Sequence, residues 1–300
     1  MEATRVRGRA QAAILAWYGR HGRKLVFRAT TDPYGVLVSE VMAQQTQVSR
    51  VEAGWSAFMA AFPTIDALAA APVADVLRAW RGLGYNRRAL NLWRAARVVV
   101  DEHGGQLPQD VAALEQLPGV GPYTARAVAA IAFGMPVGAV DTNVRRVLGR
   151  IVAGSRHALP GGVLQPVADA SVPRVRAADW THALMDVGAT VCRGSRPACQ
   201  RCPALRSCRY AATGGSMEVA RATASPEPAF PSTSRWLRGR ILDVLRDGIG
   251  WVDVGVPIGQ HGRPAIEAAL ADLAADGLVE RATGDGLRAR LPIANAAPSG

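Results

Sequence analysis

The run Val36-Leu37-Val38-Ser39-Glu40-Val41-Met42 constrains the fold more than any other stretch of this chain. Asp32 offers an N-cap side chain and Pro33 suits a first helical turn, so a helix opens there. Val36, Leu37, Val38, Val41 and Met42 then make that helix apolar around most of its circumference. Such a helix is stable only with other elements packed on nearly every side. It carries one carboxylate inside with it, Glu40, whose neighbours one turn back are Val36 and Leu37. Polarity returns at the far end with Gln44, Gln45 and Thr46. A mostly buried acid followed by amides suits a site that donates a proton and grips something polar. The same pattern also fits a glutamate on the one wet face of a core helix.

The flanking sequence supplies the partners this helix needs. Helical patterns cover residues 10–20, 51–62, 65–70, 73–81 and 88–103, the last closed by Gly104-Gly105. Nothing here alternates with period two, so the core is expected to be mainly α, in short helices with short connections. Residues 21–28 form a basic loop around Phe27. The 300 residues allow two domains and a small third module. Lys and Arg number 35 against 24 Asp and Glu, a net charge of +11, and Lys24 is the one lysine. A surplus of planar, forked arginine donors points to a polyanion such as nucleic acid. No apolar run reaches the ~18 residues of a membrane helix. The charged start, Met1 to Arg9, lacks a following apolar segment. A cytoplasmic, nucleoid-associated protein is expected, and in a reducing compartment four cysteines favour metal over disulfides.

Three further stretches carry chemistry. Leu117-Pro118-Gly119-Val120-Gly121 lies between helical segments 110–116 and 122–133. Its glycines and proline suit a hairpin whose backbone N–H groups, with the start of the second helix, grip a phosphate. An ordinary turn between helices has the same composition. Asp141 opens the next helix as N-cap, with Val144, Val147, Leu148 and Ile151 as its apolar stripe. Backbone N–H donors and the helix dipole favour the ionised form of a carboxylate there. Paired with Glu40, whose surroundings push the other way, it gives the unequal acids that glycosidic chemistry uses. Cys192, Cys199, Cys202 and Cys208 lie within 17 residues, spaced x6, x2 and x5. Zinc or an iron–sulfur cluster fits four such thiols.

From Ala211 to Ser234 the composition turns to Ala, Gly, Ser, Thr and Pro, which reads as a linker. Beyond it come amphipathic helices over 235–246 and 264–275. Segments 277–281 and 287–291 then suit a small hairpin, and the whole suggests a winged-helix-like module.

The ordered set SEVMAQQTQV, WRGLGYNRRA, LPGVGPYTA, VDTNVRRV and C-x6-C-x2-C-x5-C resembles the MutY family of adenine DNA glycosylases, most of all its actinobacterial members. This family belongs to the helix-hairpin-helix superfamily with endonuclease III, and the likeness covers roughly residues 10–210. It implies a two-domain fold, a six-helix barrel over 30–135 with its hairpin at 117–121, and a [4Fe-4S] cluster domain built from 1–29 and 136–212. A linker over 213–234 and the module over 235–292 follow. The implied activity is monofunctional hydrolysis that removes adenine opposite 8-oxoguanine or guanine in duplex DNA; a monomer is the default expectation for a protein that clasps duplex DNA. A thymine or uracil mismatch glycosylase, or a DNA-binding module without catalysis, remain the alternative readings.

The resemblance also places roles on residues. Glu40 falls where the family has the acid that protonates adenine N7, and Asp141 where it has the carboxylate facing the sugar cation. Asn143 would place the attacking water and Asp141. Tyr123 stands where endonuclease III-like enzymes carry the Schiff-base lysine, which implies weak or absent lyase chemistry. Arg28 would line the adenine pocket. Gln45, Thr46, Leu83 and Tyr85 would wedge into the duplex and meet the orphaned guanine, and Leu117, Gly119, Val120 and Gly121 would hold phosphate. The four cysteines would ligate the cluster. Leu25-Val26-Phe27-Arg28 replaces the usual Leu-Pro-Trp-Arg, and Asn86 follows Tyr85 where a second tyrosine is common. The usual C-terminal domain resembles a Nudix fold and is longer than 235–292.

Overall fold

Helices carry most of the order in the computed structural model, which describes residues 5–6, 8–154, 159–214, 229–284 and 287–293. In chain order they are α1 (Arg9–His21), α2 (Pro33–Ala43), α3 (Val48–Ala61), α4 (Ile65–Ala70), α5 (Val73–Ala79), α6 (Arg87–His103) and α7 (Val111–Glu115). Then follow α8 (Pro122–Ala132), α9 (Thr142–Leu148), α10 (Gly161–Ser171), α11 (Ala177–Asp186), α12 (Arg209–Ala212), α13 (Ser234–Asp247) and α14 (Arg263–Ala275). Both α9 and α11 run on into a wide helical turn, Gly149–Ala153 and Val187–Val191. Most of the linker expected over 213–234 lies outside the described residues.

The chain divides into two units. One takes Met1–Glu40, Leu107–Gln116 and Val120–Arg221; the other takes Val41–Gln106, Leu117–Gly119 and Ala222–Gly300. In the first, α11 packs against α1, α8 and α9. Its core gathers Ile14, Leu148, Leu164, Trp180 and Leu184, which α1, α9, α10 and α11 contribute at helical spacing. The chain start is tied in as well, because Val6 N–H donates to Ser171 Oγ at 2.9 Å.

The second unit is built around α6, which packs on α4 and α5. Ala89, Leu92, Trp93, Ala96 and Val99 form its buried face, and Gly104 ends it in the left-handed region at φ 61°. The Trp93 indole N–H donates to Ala71 O at 3.0 Å. Within this unit α13 packs on α5 and α14. The sheet beside them has three strands, β1 (Val252–Asp253), β2 (Glu280–Arg281) and β3 (Arg288–Arg290), in antiparallel order β1-β3-β2. Sequence patterning gives the β2 and β3 pairing but not β1. Leu237, Ile241, Leu270, Leu273 and Ala289 are buried in these elements.

Candidate active site

Glu40 is the buried acid that the apolar circumference of α2 demands, with 8% of its surface exposed. Asp32 caps the helix, its Oδ2 accepting from Gly35 N–H at 2.8 Å. Glu40 Oε2 accepts a hydrogen bond from the Tyr123 hydroxyl at 2.7 Å. Tyr123 lies in the first turn of α8, behind N-cap Gly121 and Pro122. Burial raises the Glu40 pKa; the Tyr123 bond and the charge of Arg28 oppose the rise, and the charge of Asp141 adds to it. Burial, reinforced by Glu40, also raises Tyr123, so the hydroxyl stays a donor.

Asp141 caps α9, with Oδ1 accepting from Val144 N–H at 2.6 Å and Oδ2 from Asn143 Nδ2 at 3.0 Å. Asn143 Oδ1 accepts from Arg146 Nη2 at 2.7 Å, which fixes how the amide is turned. The same guanidinium donates to the carbonyls of Cys192 and Gly188, each at 2.7 Å. Gly188 permits this close approach, since a Cβ there would sit 2.5 Å from Asn143 Cβ.

Arg28 is held by Asp186, a residue the sequence patterning does not single out. Asp186 is fully buried and ion-pairs with Arg28 at 3.0 Å and Arg23 at 2.7 Å. Burial pushes the Asp186 pKa up, but the bonds and charges of the two arginines outweigh it and leave it lowered. Burial pulls the nearby His182 down to about 3, so this ring is neutral. A lone acid in the apolar run Leu184-Met185-Asp186-Val187 is the signal that marks Asp186. Glu40, Tyr123, Asp141 and Arg28 therefore lie close enough for their charges to act on one another. A carboxyl whose pKa is raised, beside a second carboxylate, can carry acid catalysis with stabilisation of a developing cation.

A second cluster lies in the other unit. Gln45 and Tyr85 are non-glycine residues in the left-handed region, at φ 55° and 45°. Arg88 holds both loops. It donates to the carbonyls of Val41, Met42 and Gln44 at 2.6–2.9 Å, to those of Leu83 and Gly84 at 3.0 Å, and to Thr46 Oγ1 at 3.0 Å. Three of these carbonyls are the ones α2 leaves unpaired at its C-terminus. Burial pulls Arg88 down to about 10, and it remains a cation. Tyr85 is 44% exposed, whereas Leu83 is buried at 4% with its side chain against Gly54. Leu117 and Val120 are buried too. Gly119 sits at φ 77°, where a Cβ would come within 2.6 Å of Asn91 Cβ.

Cys192, Cys199, Cys202 and Cys208 line one cavity, closed by Val147, Arg150 and Tyr210. Among the described residues no three His, Cys, Asp or Glu side chains converge tightly enough for a single metal ion. Arg150 is 4% exposed and donates to Cys192 Sγ at 3.3 Å, to Arg193 O and to Gly194 O, and it stacks on Tyr210. None of these partners is a carboxylate, and among the described residues Arg150 Nε is the buried nitrogen without an acceptor. A buried cation facing four thiols in this way fits an anionic thiolate-bound group.

Residues 38–163 match the model of the HhH-GPD superfamily base excision DNA repair proteins. An adenine DNA glycosylase of Mycolicibacterium smegmatis is 44% identical over 278 residues, covering 91% of this chain and 93% of that protein. A thermostable thymine-DNA glycosylase structure has a TM-score of 0.63 at 29% identity, covering 68% of this chain and 95% of the other. A trapped endonuclease III–DNA covalent intermediate has a TM-score of 0.59 at 25% identity, covering 69% and 96%.

Proposed function

This chain belongs to the adenine DNA glycosylases of the HhH-GPD superfamily, and on that premise we propose that it frees adenine mispaired with 8-oxoguanine or guanine in duplex DNA, by hydrolysis without strand cutting. The observation that carries the proposal is the hydrogen-bonded, buried Glu40 within electrostatic reach of Asp141.

The arginine-rich chain binds backbone phosphates, and its affinity falls steeply with salt. Extruding the nucleotide costs on the order of a few kcal/mol, least at a mispair. Gln45, Thr46 and Tyr85 serve the gap left in the duplex, while Leu83, expected there too, is buried against Gly54; the loop Leu117, Gly119, Val120, Gly121 holds a phosphate. Arg28, oriented by Asp186, lines the base pocket. Glu40, its pKa raised by burial, donates a proton to N7 of the base. The base leaves with the bonding electrons of the glycosidic bond. Asp141, held by Val144 N–H and Asn143, stabilises the oxocarbenium-like sugar, and water placed by Asn143 completes hydrolysis. Tyr123 positions Glu40 and lacks the amine a Schiff base needs. Cys192, Cys199, Cys202 and Cys208 hold a [4Fe-4S] cluster whose part here is to fasten the 192–208 segment. The cavity they share and the uncompensated Arg150 support it.

The test is a panel of duplexes bearing A, T or U opposite G or 8-oxoguanine, treated with alkali to reveal abasic sites. Cleavage at A alone is expected. Cleavage at T or U, or at no base, overturns the reading.

A further inference from the structure

Among the described residues two arginines are buried, Arg150 and Arg246. Arg246 has an acid beside it, Asp243, at 3.0 Å on its own helix. Arg150 has none. Its Nη1 donates to Cys192 Sγ at 3.3 Å and to Arg193 O at 2.7 Å, its Nη2 donates to Gly194 O at 2.8 Å, and its Nε has no acceptor. The guanidinium carbon lies 4.9 Å from the Tyr210 ring centroid. Arg146, one turn earlier, donates to the Cys192 carbonyl and leaves the sulfur to Arg150. The arginines between the cysteines, Arg193, Arg196, Arg201 and Arg206, are all exposed. One cation therefore stands inside, against the four thiols, and the rest stand in solvent.

A buried charge without a counter-charge is costly. Neutral donors could satisfy the carbonyls of Arg193 and Gly194, so those two bonds do not explain why a cation sits there. What the guanidinium adds is charge next to sulfur, in a dry place where charge acts strongly on its neighbours. A thiolate-bound iron–sulfur group loses one negative charge when it gives up one electron. A cation beside a ligating sulfur, and an N–H bond to that sulfur, both favour the form that keeps the charge. Hydrogen bonds to the sulfurs, net charge and exposure are the levers that set such potentials.

We propose that Arg150 donates to the Cys192 thiolate of the [4Fe-4S] cluster and raises the reduction potential there, so that the fastening of the 192–208 segment resists one-electron oxidation. This rests on the cluster assignment made under the proposed function. Arg150 acts through Cys192, and no step of base release passes through it.

The experiment measures the midpoint potential for one-electron oxidation in the purified full chain, Arg150→Gln, Arg150→Lys and Arg206→Gln. Ferricyanide is the electron acceptor, each electron lost reducing one ferricyanide, and iron is counted in every sample. Arg150→Gln keeps an amide donor and loses the charge. Its midpoint should fall by the equivalent of about tenfold in the oxidation equilibrium, about 59 mV for a one-electron couple. Arg206→Gln removes equal charge from an exposed position between Cys202 and Cys208, where water and salt screen it. It should move the midpoint much less. Arg150→Lys keeps a charge but loses the fork that reaches sulfur and both carbonyls together. Its midpoint should fall by a smaller amount, and it decides the matter if the glutamine variant holds no iron. An unchanged or raised midpoint in Arg150→Gln, or equal shifts in Arg150→Gln and Arg206→Gln, overturns the proposal while the cluster assignment stands. Where only the lysine variant carries iron, an unchanged midpoint there does the same. An unaltered chain without iron and sulfide overturns the cluster assignment, and this proposal with it.

Discussion

Arg88→Ala separates what the two strained loops do from what holds them. Arg88 satisfies the carbonyls of Val41 and Met42, residues that are 4% and 0% exposed. Water does not readily replace a donor there, and each buried carbonyl left unmade costs about 1–3 kcal/mol. The carbonyls of Gln44 and Gly84 lie nearer solvent and rehydrate at little cost, and that of Leu83 keeps the Thr46 hydroxyl as a donor at 3.3 Å. The variant should therefore lose roughly 2–6 kcal/mol of stability, read as the shift in urea midpoint at constant m-value. Left-handed backbone at Gln45 and Tyr85 costs on the order of 1 kcal/mol or more at each residue. Release of that strain offsets part of the loss. Base release should suffer as well, because both loops lose their common anchor. Arg88→Lys, with one ammonium in place of a fork, should recover only part. A variant within ~0.5 kcal/mol of the unaltered protein would show that the bonds to Val41 and Met42 do not hold α2 and its loops in solution.

Other consequences follow from the titrating groups and the cysteines. Glu40 has a folded pKa above its unfolded value, so its contribution is full below the unfolded pKa and is lost as pH rises through the folded one. Glu40→Gln removes that loss, and the variant should gain on the unaltered protein by up to about 1.4 kcal/mol per pH unit across that window, measured by denaturant titration. The alkaline limb of base release by the unaltered protein should track the same group. Asp186 runs the opposite way: its lowered pKa contributes stability above the unfolded value, and this is lost as pH falls through the folded one. Asp186→Asn leaves Arg23 and Arg28 without their buried anion, and it should cost about 3–5 kcal/mol at neutral pH and flatten acid unfolding. Purified protein should absorb in the visible blue and carry iron with sulfide, and Cys202→Ser should lose that band; bound zinc without iron would contradict the cluster assignment.

The α2 helix, its cap at Asp32 and the burial of Glu40 were legible because an apolar circumference has one stable solution. α6 and its Gly104 end were legible for a similar reason, an amphipathic stripe closed by a glycine. The elements α10 and α11 were not. Gly161, Gly162 and Pro166 are poor helix formers, and what orders this region is tertiary: Ser171 against Val6, and Trp180 in the core. In the site, Glu40 and the Asp141 cap could be reasoned from local pattern. Arg146, Asp186 and Arg88 could not, because their meaning lies in partners 42–163 residues away. Arg150 reads in sequence as one more cation off the apolar stripe, yet it is buried against the cysteines.

The most direct measurement is single-turnover base release from an A:8-oxoguanine duplex by the unaltered chain, Glu40→Gln and Asp141→Asn, with duplex affinity measured beside it. Base release should be lost in both variants while mispaired DNA is still bound. Near-normal release by either variant would contradict the account of a protonated Glu40 acting opposite a stabilising Asp141.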